Sequence, residues 1–359
     1  MFLTSFSAQQ FRCFERLSVS FDKRLILIEG LNGAGKTSLL EAIHYLCYLR
    51  SFRTHIPYDM LKFGNESFFV RAEFKNTLED VGTNEIQVGL EGKKRLVKVN
   101  QKTAATYKEV LDHYRVVTLT EDDLFLIKGG PEVRRSFIDQ LLLLQNPAII
   151  PLLKQIKAIL EQRNMLLRTN AHDVVSYDIW TYQLWEKSLA VVQARTEALA
   201  QLESQMNQLF TTYFDATLSA TITYQAKNMG NHTTYEAWQE HHTHLYEQEK
   251  RFGRSLFGAH LDDFAIAFQD KRSRAYASRG QQKLLIVLLK IAQVKLLLAQ
   301  KGSAIFLLDD FMTDFDPQRA KAVLPALMDL PSQLIFTSPG KTGVFEEQLL
   351  AMGAQHIKL

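Results

Sequence analysis

The sequence predicts an α/β protein built on a phosphate-loop nucleotide domain that is interrupted by a mainly helical subdomain. Three observations predict it. The first is the spacing Gly30-x-x-x-x-Gly35-Lys36-Thr37 between a strand-like and a helix-like run. The second is an apolar run near the far end of the chain, AIFLLDD (Ala304 to Asp310), that closes on two acids. The third is the helical periodicity of most of the residues between them.

Residues 1–145 alternate strand-like runs such as LSVSF, SFFVRAEF and YRVVTLT with turn signals and one strong helix, as a mixed α/β lobe does. RLILIEG (Arg24 to Gly30) reads as a buried strand and TSLLEAIHYLCYL as a helix. A glycine-rich turn between them lets backbone N–H groups point inward around an anion, and the helix beginning near Lys36 adds its positive end. Lys36 would reach the β- and γ-phosphates of ATP, and the Thr37 hydroxyl would ligate Mg2+. Gly30, Asn32, Gly33, Gly35 and Ser38 complete the expected cradle.

From NPAIIPLLKQIKAILEQRNMLLR onward the character is helical, and residues 146–252 are expected to form an arm. Between Asp178 and Phe214, apolar residues recur at steps of three, four or seven, which predicts one long helix or two in series. SATITYQA reads as a short strand. His241, His242 and His244 lack a carboxylate or cysteine at ligand spacing and read as a solvated helix face.

The α/β character returns over residues 253–359. Asp309, at the end of its hydrophobic strand, would hold magnesium through water, and Asp310 is placed to polarise the attacking water. Most of the chain separates these acids from Thr37, so a large insertion splits the nucleotide domain. Just before the acidic strand, YASRGQQKLLIVLLKIAQ sets Ser278, Gly280 and Gln281 at the start of a long apolar helix. Read alone, S-x-G-Q is a helix cap. In this order along the chain it predicts a second helix terminus that covers the γ-phosphate from a partner subunit, and hence an ATP-dependent homodimer.

The whole chain has 359 residues, 46% of them hydrophobic and 23% charged, and a net charge of +3. Near-balance means that a nucleic-acid partner must be held by local basic patches. The densest is EGKKRLVKVNQK, with Lys93, Lys94, Arg95 and Lys98; Arg50 and Arg53 are the other candidates for DNA phosphate contacts. A solvated hairpin edge guarded by lysines explains the same cluster, and both readings stand. No leader peptide is expected at the N-terminus. The run KLLIVLLKIAQVKLLLA is broken by Lys290, Gln293 and Lys295 and reads as a buried helix, so no membrane partner is expected. Cys13 and Cys47 form no metal-ligand pair, which points to a reducing cytoplasm.

The chain resembles the RecF family of bacterial recombination proteins, ABC-type ATPases related to the heads of structural-maintenance-of-chromosomes proteins. The resemblance runs through FRCFERLSVSF, GLNGAGKTSLLEAIHYL, RSFRT, TEDDLFLIKGGPEVRRSFID, EQRNMLL, FGAHLDDF, ASRGQQK, LLDDFMTDFD and IFTS. It implies an ABC-type head split by a helical subdomain, with Glu121 or Asp122 in the loop that senses the γ-phosphate. By the same pattern Asp316 is the D-loop acid, and Thr337 or Ser338 the switch residue. It implies ATP-driven dimerisation on double-stranded DNA near single-strand gaps, slow DNA-dependent hydrolysis, and help to RecR, with RecO, in loading RecA. The chain departs from the pattern at Ala259 and Leu261, where proline and arginine are usual, at Asp314, where glutamate is, and at Ala34 and Ser38.

Other classes are weaker. A transporter ATPase subunit fits poorly with the split domain, and a cohesin-like tether would need a far longer coiled coil. A clamp that binds ATP without turning it over remains an alternative, because Asp310 is a shorter acid than the glutamate of many relatives.

Overall fold

A computed structural model describes the chain except residues 81, 105, 170–173, 230–233, 303, 311–316 and 340–342, and the side chains of residues 107, 112, 174, 241 and 317–321. The chain folds as two compact units, one of residues 1–123 and 283–359 and one of residues 124–282. The arm expected at residues 146–252 falls inside the second.

The first unit carries two sheets. One is antiparallel, in the order β2-β1-β4-β5-β6-β7, from β1 (Phe2–Phe11), β2 (Phe14–Ser20), β4 (Ser67–Lys75), β5 (Asn84–Glu91), β6 (Lys94–Val99) and β7 (Lys102–Thr103). Its strands alternate, as a sheet with one covered face must: in β4 the side chains of Phe68, Val70, Ala72 and Phe74 are buried while those between them are not. The other sheet is wholly parallel, in the order β14-β3-β13-β12-β8, from β3 (Leu25–Glu29), β8 (Val116–Leu119), β12 (Ile305–Leu308), β13 (Gln333–Ser338) and β14 (Gln355–Lys358). Here the inner strands are buried, LILI in β3 and IFLL in β12, because parallel strands are covered on both faces, whereas edge strand β14 is partly exposed. Buried Gln333 joins the two sheets: its amide oxygen accepts from Leu3 N at 2.8 Å and its nitrogen donates to Leu3 O at 2.9 Å.

Helix α1 (Lys36–Tyr48) follows β3 directly; α2 (Tyr107–His113) precedes β8, and α11 (Pro317–Met328) and α12 (Val344–Ala351) flank β13 in sequence. A 3-10 turn, Glu121–Leu124, follows β8.

The second unit contains α3 (Phe125–Lys128), α4 (Pro131–Gln145), α5 (Ile149–Thr169), α6 (Val174–Tyr213), α7 (Tyr235–His242), α8 (Leu245–Phe252) and α9 (Ser273–Tyr276). It also holds a small antiparallel sheet of β9 (Ala220–Gln225), β10 (Asp263–Phe268) and β11 (Lys271–Arg272). The periodic stretch from Asp178 is part of one helix of 40 residues. Its core gathers Ile156, Ile159, Leu184, Trp185, Val191, Trp238 and Phe257. Within that core Arg163 is 1% exposed and pairs with Glu249 at 2.5 Å. It also donates to Thr181 Oγ1 and Ser255 Oγ and lies against the rings of Tyr177 and Phe257, so the buried charge is matched on every side. Helix α10 (Arg279–Lys301) runs from the second unit into the first. No described helix is long and apolar enough to cross a membrane.

Candidate nucleotide-binding site

The loop after β3 has the backbone that its glycines permit. Gly33 and Gly35 lie at φ 89° and 101°, in the left-handed region. A Cβ on Gly35 would come within 2.5 Å of the Phe14 ring and 2.7 Å of Cys13 Sγ, so two constraints fix glycine there. Gly35 is the N-cap of α1, and no acidic residue occupies that helix's first turn. The positive helix end is therefore open to an anion. Lys36 is 4% exposed, and its ammonium donates to Gly30 O at 2.9 Å and Leu31 O at 3.4 Å. Asn32 and Gly33 are exposed at the loop tip, whereas Ser38 is buried.

Parallel register brings the acids to the loop. β13 lies between β3 and β12, with Thr337 opposite Ile28, Ser338 opposite Glu29, and Leu308 opposite Phe336. The residues that follow β3 and β12 thus emerge at the same carboxyl end, where open α/β sheets bind ligands. Thr37 Oγ1 donates to Asp309 Oδ1 at 3.1 Å across 272 residues of chain. Thr337 Oγ1 lies 2.9 Å from the same oxygen and 3.1 Å from Asp310 Oδ1, and it accepts from Asp310 N at 2.8 Å. Lys36 Nζ is 3.9 Å from Asp310 Oδ2. Burial raises the Asp309 carboxyl above the usual carboxylate range; Thr37 and Thr337 pull it down again, neighbouring Asp310 pushes it up, and Lys36 opposes that. A hydroxyl and a carboxylate held together beside a cationic loop are the donor set that a divalent ion takes with a nucleotide. Asp310 has φ 43°, a left-handed backbone in a residue other than glycine.

Thr337, given as an alternative switch residue, is thus bonded to both acids. Ser338 instead donates to Glu346 Oε1 at 2.8 Å. Glu121 and Asp122 are exposed at the start of the 3-10 turn after β8. Leu119, two residues before Glu121, accepts from Asp309 N at 2.8 Å, so the turn begins beside the acidic strand end.

Ser278, Gly280 and Gln281 lie in the second unit. Gln281 N donates to Ser278 Oγ at 3.3 Å and Ser278 N to Gln281 Oε1 at 2.8 Å, a reciprocal cap at the start of α10. Asp314 and Asp316 lie outside the described residues.

Of the predicted DNA contacts, Lys93, Lys94 and Arg95 are exposed on the hairpin of β5 and β6, at one end of the antiparallel sheet. Arg95 Nη1 donates to Leu49 O at 2.9 Å, which brings the hairpin to the residue before exposed Arg50. Arg53 has an internal partner: its Nη1 lies 3.2 Å from Glu41 Oε2. Glu41, on α1, is wholly buried and accepts from Arg12 Nε at 2.8 Å and Nη2 at 2.6 Å, and from Ser51 Oγ. The charge that binds Arg53 is thus shared with the strand pair β1–β2. Pattern reading passed over Glu41, since a single acid inside an apolar helix is its only sequence signal.

The FGAHLDDF segment is internal bracing in the second unit. Asp263 takes Arg134 in a two-point pair, at 2.6 and 2.8 Å. Asp262 is fully buried and accepts from Tyr224 OH at 2.5 Å and Lys227 N at 2.7 Å, with burial raising its carboxyl. His260 is pushed down to about 4 by burial and is neutral. His242 stacks on Trp238 at 5.0 Å, and among the described residues no cluster of histidine, cysteine and acid could hold a metal ion.

The DNA replication and repair protein RecF of Leptospira interrogans serogroup Icterohaemorrhagiae serovar Lai (strain 56601) is 29% identical over 348 residues, 96% of this chain and 93% of the relative. That of Exiguobacterium sp. (strain ATCC BAA-1283 / AT1b) is 28% identical over 368 residues, 100% and 98%. Among solved structures, RecF with ATP, described as the recombination mediator protein in the RecFOR pathway, superposes with TM-score 0.82 at 26% identity, over 95% of this chain and 93% of that one. An Smc head bound to the C-winged helix domain of ScpA shares the fold, with TM-score 0.54 at 15% identity over 97% and 91%. The fold is therefore that of an ABC-type ATPase head. The family described as RecF/RecN/SMC N terminal domain matches residues 2–355, and the chain belongs to it.

Proposed function

We propose that the chain is an ATP-dependent DNA-binding protein of recombinational repair, which dimerises around ATP on duplex DNA near single-strand gaps and hydrolyses it slowly. The observation that carries this reading is the meeting of Thr37, Asp309, Thr337 and Asp310 beside the Lys36 loop. Lys36 and the loop N–H groups hold the phosphates. Thr37 and Asp309 would hold the magnesium ion, which would supply positive charge against the nucleotide phosphates. Asp310 orients and polarises the attacking water, Thr337 fixes both acids, and Glu121 or Asp122 senses the γ-phosphate. The partner's Ser278, Gly280 and Gln281, with Asp316 of the D-loop, complete the site in the dimer.

Dimerisation then joins two copies of the basic hairpin, Lys93, Lys94 and Arg95, with Arg50 beside it, into a surface for DNA phosphates. The names of the relatives, DNA replication and repair protein RecF, and the ATP-bound mediator of the RecFOR pathway support the assignment to repair. On this reading the chain works with RecR and RecO in loading RecA, in the cytoplasm. The test is a titration of duplex and gapped DNA with Mg–ATP, ADP or no nucleotide, with sedimentation run alongside. ATP alone should raise both the sedimentation coefficient and the DNA affinity. Equal affinity and an unchanged monomer in all three conditions refute the proposal.

A further inference from the structure

The turn that carries Glu121 and Asp122 is held from outside the strand that leads into it. β8 is the edge strand of the parallel sheet, so the carbonyls on its outer side have no strand partner among the described residues. Lys290, about three turns into α10, serves one of them: its ammonium, on a side chain 9% exposed, donates to Thr118 O at 2.8 Å. The same ammonium lies 2.7 Å from Asp123 Oδ1. The other oxygen of Asp123 accepts from Thr120 N at 2.8 Å, which closes the turn on itself. Thr118 is also tied by its side chain, since its Oγ1 lies 2.9 Å from His44 Nδ1 on α1, the helix of the phosphate loop. Burial, and then the charge of Lys290, push His44 down to about 3, so the histidine is neutral beside a charged lysine.

A buried ammonium is costly to retain for packing alone, where methionine would fill the space. Lys290 instead joins three things at one point: the end of β8, the turn with its two exposed acids, and α10, the helix that carries it. We infer that Lys290 is a positioning residue for hydrolysis. Through Asp123 it fixes the Glu121–Asp122 turn beside Asp309 and Asp310. The inference rests on the ATPase reading above and adds to it a residue that acts through Asp123 and Thr118. Its effect falls on the rate of the chemical step, because its contacts with Thr118 O and Asp123 are with β8 and the turn that follows it.

The experiment uses the full chain with Lys290→Met, Lys290→Arg, Asp123→Asn and the double variant Lys290→Met/Asp123→Asn. Nucleotide affinity is read with a fluorescent ATP analogue, hydrolysis by single turnover, and folding by thermal melting. Lys290→Met is expected to keep its nucleotide Kd within about threefold of the parent while hydrolysis slows about tenfold or more. Lys290→Arg, which keeps the ion pair, recovers most of the rate. Asp123→Asn slows hydrolysis similarly, and the double variant is no slower than the worse single one, as two halves of one ion pair require. The inference is overturned if Lys290→Met hydrolyses at the parent rate, if affinity falls in step with hydrolysis, or if the two single effects multiply. Should Lys290→Met not fold, Lys290→Arg and Asp123→Asn decide: parent rates in Asp123→Asn, or no advantage of arginine over Asp123→Asn, refute it. A parent that binds ATP but never hydrolyses it refutes the ATPase reading itself, and this inference with it.

Discussion

Replacing Lys36 by alanine separates nucleotide binding from folding. In the folded chain the ammonium donates to the buried Gly30 O at 2.9 Å and more weakly to Leu31 O, in an exposed part of the loop where water can take its place. One buried carbonyl losing its donor costs about 1 kcal/mol. That is small beside the roughly 5–15 kcal/mol of an ordinary domain, and the loss of a desolvated charge offsets part of it. With ATP bound, the same ammonium would make charge-assisted hydrogen bonds to the β- and γ-phosphates, each contributing about 1.5–3 kcal/mol. Two such bonds amount to about 3–6 kcal/mol, so Kd for ATP should rise by about a hundredfold to ten-thousandfold. ATP-dependent dimerisation should be lost at nucleotide concentrations that saturate the parent. Titration with a fluorescent ATP analogue measures the first effect, sedimentation the second, and thermal melting controls for the fold. ATP affinity equal to the parent's would refute the assignment of the loop. A melting temperature lowered well beyond the effect of one hydrogen bond would refute the separation of binding from folding.

Asp310→Asn should keep ATP binding and trap the dimer, because Thr37 and Asp309 remain while the water loses its polarising carboxylate; an unchanged hydrolysis rate would move that role to Glu121 or Asp122. Reversing Lys93, Lys94 and Arg95 to glutamate should weaken binding to all DNA sequences alike and lower the salt slope by about one for each phosphate no longer neutralised. Since Arg95 also donates to Leu49 O, the Lys93/Lys94 double variant should show the same trend with α1 unperturbed; salt slopes equal to the parent's would make the cluster a solvated edge. Ser278→Arg should bind ATP as a monomer and fail to dimerise. Mixed with Lys36→Ala it should regain measurable hydrolysis, since one composite site in the mixed dimer is intact; dimerisation and hydrolysis like the parent's in Ser278→Arg alone would leave that serine a helix cap.

What the sequence made legible was local. The turn from β3 into α1 is written in glycine spacing and apolar periodicity, and the helical character from Asp178 in apolar steps of three, four or seven, which fit one helix or two in series where the structure has one. The acidic end of β12 was readable as a strand end, but its meeting with Thr37 depends on β13 lying between β3 and β12, a pairing across hundreds of residues that no local pattern encodes. The same holds for charges. Arg53 and Arg95 look alike in the sequence, yet one lies against a wholly buried glutamate and the other against a helix-end carbonyl. Lys290 appeared only as a polar break in an apolar run, because its partners Thr118 and Asp123 are far away along the chain. Ser278 and Gln281, read from spacing as a motif, cap each other at the start of α10.

The left-handed backbone at Asp310 changes how the length of its side chain should be understood. Among residues other than glycine, aspartate and asparagine adopt that conformation with the least resistance, whereas a longer acid gains nothing from local hydrogen bonding there. The hydroxyl of Thr337 already spans the gap to both carboxylates, so reach is supplied by a neighbour and the acid itself need only be short and stiff. Glutamate at this position would carry its carboxylate past Thr337 on a more flexible stem and from a less tolerant backbone. The pairing of a short acid with a bridging threonine is therefore a local solution, in which conformation and chemistry are matched and neither can be exchanged alone.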